Sequence, residues 1–135
     1  MSKPFIDSNI VLCLLSADIA KANLAQQLLE AGGIISVQVL NEVTAVCQRK
    51  LKMPWQEIDA VLQALTAACD VVPLTLASQQ KAVDICKRYQ LSIYDANIIA
   101  TALIARASTV LTEDLQDGQL IESIVIRNPF KSEKL

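Results

Sequence analysis

The chain has 135 residues, of which 53% are hydrophobic and 19% charged, with a net charge of −2 and no histidine. That length can bury a core without disulfides or a structural metal, and that composition excludes a disordered chain. The missing imidazole removes Ser-His-Asp and Cys-His nucleophile systems and His-containing zinc sites, so any catalysis must rest on carboxylates, lysine, tyrosine or cysteine.

Phe5-Ile6 reads as a short buried strand that ends in the polar turn Asp7-Ser8-Asn9, and the apolar run Ile10 to Leu15 predicts a first helix after it. From Asp18 to Ala31 the apolar spacing is helical, with Gly32-Gly33 as the stop. Ile34-Ile35 is a second strand. Ser36 is placed to cap a helix over 37–51, whose stripe is Val39, Leu40, Val43, Val46, Cys47 and Leu51. Pro54 suits the first turn of the next helix. Val71-Val72 is a third strand, followed by a helix over 77–89 and a very apolar helix from Ser92 to Arg106. Thr109-Val110-Leu111 and Ser123-Ile124-Val125-Ile126 are the last two strands.

Short apolar strands alternating with helices predict an α/β fold of three layers, α/β/α, around a central parallel sheet. With no repeat or linker, residues 1–135 read as one domain. Cys13, Cys47, Cys69 and Cys86 are far apart and flanked by apolar residues, which predicts buried reduced thiols. No run approaches the roughly 20 apolar residues of a membrane span, and no cleavable signal pattern precedes the first strand. A cytoplasmic location is expected.

Ligands of open parallel sheets sit beyond the carboxyl ends of the strands. Asp7 and Asp114 follow strands and so face one rim. Glu42 lies at the border of its helix's apolar stripe, and Arg49 lies in line with it two turns on. Asp95 falls on the apolar face of its helix with Ile98, Ile99 and Ala102, where a lone carboxylate is costly unless hydrogen-bonded, protonated or metal-bound. Each acid also has a plain structural reading. Asp7 could cap a helix, Ser92-x-x-Asp95 is a capping-box pattern, Glu42 could be solvated and Asp114 could be a turn residue.

Five short motifs occur in order: Phe5-Ile6-Asp7-Ser8-Asn9-Ile10-Val11, Asn41-Glu42, Tyr94-Asp95-Ala96-Asn97-Ile98-Ile99-Ala100-Thr101-Ala102, Leu111-Thr112-Glu113-Asp114 and Ile126-Arg127-Asn128-Pro129-Phe130. Over nearly the whole chain they resemble the PIN domain of VapC-type toxins. The resemblance implies an endoribonuclease that depends on Mg²⁺ or Mn²⁺, with Asp7, Glu42, Asp95 and Asp114 as the acids. Asp117 is a fifth contributor or an alternative to Asp114, and Asn9 and Thr112 are supporting polar residues. It also implies RNA as substrate, a cognate antitoxin protein and a homodimer. Clustered carboxylates repel unless a cation compensates them, and hard divalent ions prefer oxygen ligands, which agrees with that picture.

Two other readings stand beside it: a PIN-like module that binds RNA or protein without cutting, and a receiver-type phosphoryl-transfer domain. The latter lacks an Asp-x-Asp after the first strand. The pI near 5.0 counts against a broad nucleic-acid surface. Of the basic clusters Arg49-Lys50-Lys52 and Lys87-Arg88, Arg49 is the candidate for substrate phosphate because of its alignment with Glu42. Trp55 and Tyr94 fit base stacking or an interface less well than ordinary boundary packing.

Overall fold

Five of the six described strands run parallel, and an apolar pair only two residues long lies in the middle of the sheet. The computed structural model describes residues 3–131, with strands β1 (Phe5–Ile6), β2 (Gly33–Ser36), β3 (Cys69–Val72), β4 (Thr109–Leu111), β5 (Leu120–Ile121) and β6 (Ile124–Arg127). The order across the sheet is β3-β2-β1-β4-β6-β5, with only β5 antiparallel. Phe5 lies opposite both Ile34 and Val110, so β1 is hydrogen-bonded on both edges. Phe5, Ile6, Ile35, Val110 and Ile126 are fully buried, as expected of strands covered on both faces.

The helices are α1 (Ser8–Val11), which tightens into a 3-10 turn over Leu12–Leu15, then α2 (Ile19–Ala31), α3 (Val37–Arg49), α4 (Trp55–Ala68), α5 (Leu76–Tyr89) and α6 (Ile93–Ile104). Their starts are written in side chains. Asp18 accepts from the amides of Ala20 and Lys21, Ser36 from Val39, Thr75 from Ser78 and Ser92 from Asp95, each satisfying donors that the first turn leaves free. Gly32 ends α2 at φ +91, where a side chain would be strained. Gly33 has a different reason to be glycine. A Cβ there would stand 2.5 Å from Ile6 Cδ1 and 3.2 Å from the carbonyl oxygen of Pro4, so its absence lets β2 close on β1.

Helix α6 buries Ala96, Ile98, Ile99, Ala100, Thr101 and Ala102, which explains why its sequence is apolar nearly all round. The sequence-based boundaries differ from the structure at helix ends. Helix α3 stops at Arg49, two residues early, and Lys52 takes up φ +52; α6 stops at Ile104, before Arg106 at φ +62. Strand β5 was not expected at all. All four cysteines are free, three of them buried and Cys86 half-buried. Among the described residues, no helix is long and apolar enough to cross a membrane.

Candidate active site

Asp7 follows β1 directly and its amide still donates to Leu111 of β4 at 3.0 Å, so its backbone is held as a strand residue while its side chain caps α1. Oδ1 accepts from the Ser8 amide at 2.7 Å. Oδ2 accepts from Thr112 Oγ1 at 2.9 Å and from Asn9 Nδ2 at 3.3 Å. The residue is 6% exposed. Burial is the largest influence on its proton affinity, and nearby Glu42 and Asp114 add to it against the bonds from Thr112 and Ser8, so that its pKa rises to about 6. The capping reading of Asp7 is therefore correct, and capping occupies only one of its two oxygens.

Thr112 follows β4 as Asp7 follows β1, and its amide donates to Arg127 of β6 at 3.0 Å. Thr112 is fully buried, and its hydroxyl is the node of the site. It donates to Asp7 and accepts from Asn9 Nδ2 at 3.0 Å and from the Asp114 amide at 3.0 Å. Asn9 completes the connection, since its Oδ1 accepts from the Glu113 amide at 3.1 Å. Asn9 and Thr112 thus fix the geometry between Asp7 and the turn that carries Asp114.

Glu42 reaches the same place from α3. Ser8 Oγ donates to Glu42 Oε1 at 3.0 Å, so Ser8 joins two of the acids, one by its amide and one by its hydroxyl. Asp95 stands in the first turn of α6, where burial and then Asp114 raise its pKa above the ordinary carboxylate value while Ser92 opposes them. Electrostatic influence thus links Glu42 and Asp114 to Asp7, and Asp114 to Asp95.

Asp117 is differently employed. Its Oδ1 accepts from the Asn128 amide at 2.8 Å, tying the 112–118 turn to the end of β6. Arg49 lies exposed in the last turn of α3 and, among the described residues, forms no ion pair with the acids. Ser8 and Glu113 were missed by sequence reasoning as parts of the site, although both lie inside the motifs quoted above. A hydroxyl next to the first acid was the available signal for Ser8.

Among the described residues no three acids stand close enough to enclose an ion directly. The donor set is nevertheless all hard oxygen, drawn from four parts of the fold, with Glu42 and Asp114 adding to the raised proton affinity of Asp7 and Asp114 to that of Asp95. That chemistry fits a divalent cation of the Mg²⁺ kind, which keeps several waters and is held through one or two carboxylates. Asp7, Glu42, Asp95 and Asp114 are the residues available to hold it.

Comparison with known proteins gives the same fold. A toxin–antitoxin complex from Klebsiella pneumoniae contains a chain 23% identical, with TM-score 0.72, over 93% of this chain and 97% of that one. VapC20 from Mycobacterium tuberculosis, described as a Sarcin-Ricin loop cleaving toxin, is 19% identical with TM-score 0.63, over 82% of this chain and 90% of that one. DNA-bound VapBC from Salmonella typhimurium gives 20% identity and TM-score 0.65, over 94% and 98%. No curated protein matches in sequence. The model of the PIN domain matches residues 5–116, a span that takes in Asp7, Asn9, Glu42, Asp95, Thr112 and Asp114, and the chain belongs to the PIN domain family.

Proposed function

We propose that the protein is a metal-dependent endoribonuclease and the toxin of a toxin–antitoxin pair. The observation that carries this reading is the hydrogen-bonded linkage of Asp7 to Glu42 through Ser8 and to the Asp114 turn through Thr112, with Asp95 under the electrostatic influence of Asp114. A purely structural set of acids has no reason to be placed where its neighbours oppose the ionisation of Asp7 and Asp95. The Klebsiella chain comes from a toxin–antitoxin complex and the Mycobacterium protein is described as a Sarcin-Ricin loop cleaving toxin, which supports a nuclease reading and an antitoxin as partner.

In this reading Asp7, Glu42, Asp95 and Asp114 would hold Mg²⁺ or Mn²⁺ through one or two direct carboxylate contacts and through its waters, and the bound ion would supply positive charge against the scissile phosphate. Asp7 is held by Thr112, Asn9 and the Ser8 amide, so part of its accepting capacity is spent on protein and its orientation does not depend on substrate. Ser8 orients Glu42 through Oε1 and leaves Oε2 free to meet water or substrate. In this reading the chain acts in the cytoplasm as a homodimer.

Purified protein is expected to cut single-stranded or looped RNA with Mg²⁺ or Mn²⁺ and to stop in excess chelator. Asp95→Asn is expected to fold as well as wild type in metal-free buffer, because one member of a repelling set is gone, and to lose most of its cleavage. Undiminished cutting after complete metal removal rejects the mechanism, and metal-independent RNA binding without cutting supports the non-catalytic alternative. Light scattering on the pure chain tests the dimer.

A further inference from the structure

We propose that Lys21 is a positioning residue of this site, acting through Glu113 to hold the turn that carries Asp114; the inference rests on the nuclease reading above. Lys21 Nζ lies 3.2 Å from Glu113 Oε2, with side chains 39% and 29% exposed. The other Glu113 oxygen faces the Cys13 thiol at 3.9 Å. The Glu113 amide donates to Asn9, which in turn donates to Asp7 and Thr112. Glu113 is thus held from both its backbone and its side chain, and the next residue is Asp114.

Lys21 is an odd residue for its place in α2. It is the third residue of the helix, where the amides point outward and a cation is least favoured. Asp18 holds that turn by accepting from the Ala20 and Lys21 amides, and the ammonium also lies 5.1 Å from the centre of the Phe130 ring. Phe130 is brought there by its own turn, its amide donating to Asn128 Oδ1 while the Asn128 amide donates to Asp117. A closed circuit results: Lys21 to Glu113, along the turn to Asp117, across to Asn128 and Phe130, and back to Lys21. The circuit runs through the backbone of Asp114 without including its side chain.

Lys21 also compensates charge. Without it, Glu113 places a further half-buried carboxylate next to Asp114, and the turn is pushed away from the other acids.

The test uses the full chain in three forms: Lys21→Met, Lys21→Arg and Glu113→Gln with Lys21→Met. Amide hydrogen exchange reads the turn without any reference to catalysis. In Lys21→Met the Glu113 and Asp114 amides are expected to exchange about tenfold faster, with α6 amides unchanged. Mn²⁺ titration is expected to show several-fold weaker binding, and kcat on RNA to fall about tenfold with KM within about twofold. Lys21→Arg should restore most of each, and the double variant should lose no more kcat than Lys21→Met, since the two groups act as one unit. Unchanged exchange at Glu113 and Asp114 overturns the proposal, as does a change confined to KM, which assigns Lys21 to the substrate. Wild-type protein that neither binds Mn²⁺ nor cuts RNA overturns the nuclease reading instead, and the exchange result still decides whether Lys21 holds the turn.

Discussion

Asp7 is buried with a pKa raised to about 6 from the ordinary 3.8, so the folded protein holds this proton more tightly than the unfolded chain does. Its contribution to stability is therefore greatest below about pH 4 and is lost as the pH rises towards 6, by about 1.4 kcal/mol for each pH unit between those limits. Asp7→Asn has no such titration. In metal-free buffer its stability relative to wild type should climb by about 2–3 kcal/mol between pH 4 and pH 7, on top of a constant penalty for placing an amide against the Thr112 hydroxyl. Urea melts of both proteins across that range give the difference directly; a flat difference places the titration of Asp7 elsewhere. Asp114 and Asp117, three residues apart, should part company in the same assays. Asp117→Ala removes the carboxylate that accepts from Asn128 and should cost about 1.5–3 kcal/mol of stability, while Asp114→Asn should leave stability nearly untouched and abolish cleavage. An Asp117→Ala protein as stable as wild type but inactive reverses these two roles.

Strands β1 and β2 meet at Gly33, and what happens there moves Asp7. In Gly33→Ala the added methyl meets Ile6, the residue just before Asp7, at a distance real side chains do not tolerate. A loss of about 1–3 kcal/mol is expected, together with weaker metal binding, because β1 must shift to relieve the contact; thermal melts and Mn²⁺ titration check both. A variant as stable as wild type means that Ile6 finds another rotamer. The elements themselves were largely legible from the residues: apolar pairs marked β1 to β3, Thr109-Val110-Leu111 marked β4, and Asp18, Ser36 and Ser92 marked helix starts. Strand β5 was not legible, because two residues, one of them the exposed Leu120, make no periodic pattern and owe their conformation to pairing with Ile124 and Val125. The site divides along the same line. Asp7 and Asp114 could be placed on one rim because each follows a strand. Whether Glu42 and Asp95 reach that rim depends on helix packing, and the Lys21–Glu113 pair joins residues 92 positions apart with no local signature.

A net charge of −2 means that the molecule as a whole does not attract RNA, so on the proposed reading RNA binding would rest on few contacts and on a cation held by the acids. Each phosphate contact to a single strand contributes about −0.7 to the slope of log affinity against log salt. Arg49→Ala should make that slope shallower by about this amount and weaken binding similarly across RNA sequences, as fluorescence anisotropy over a salt series can measure; an unchanged slope returns Arg49 to the solvated surface. The Thr112–Asp7 hydrogen bond spans 105 positions, and Asp114 lies further along still. Contacts so distant in sequence form late in folding, and during synthesis they cannot form at all until the last of their residues has emerged. A product that stalls or is clipped ahead of Thr112 has lost both the hydroxyl that sets Asp7 and the turn that bears Asp114. On the proposed nuclease reading, a nascent chain therefore has no cleaving site before Thr112 and Asp114 have emerged from the ribosome.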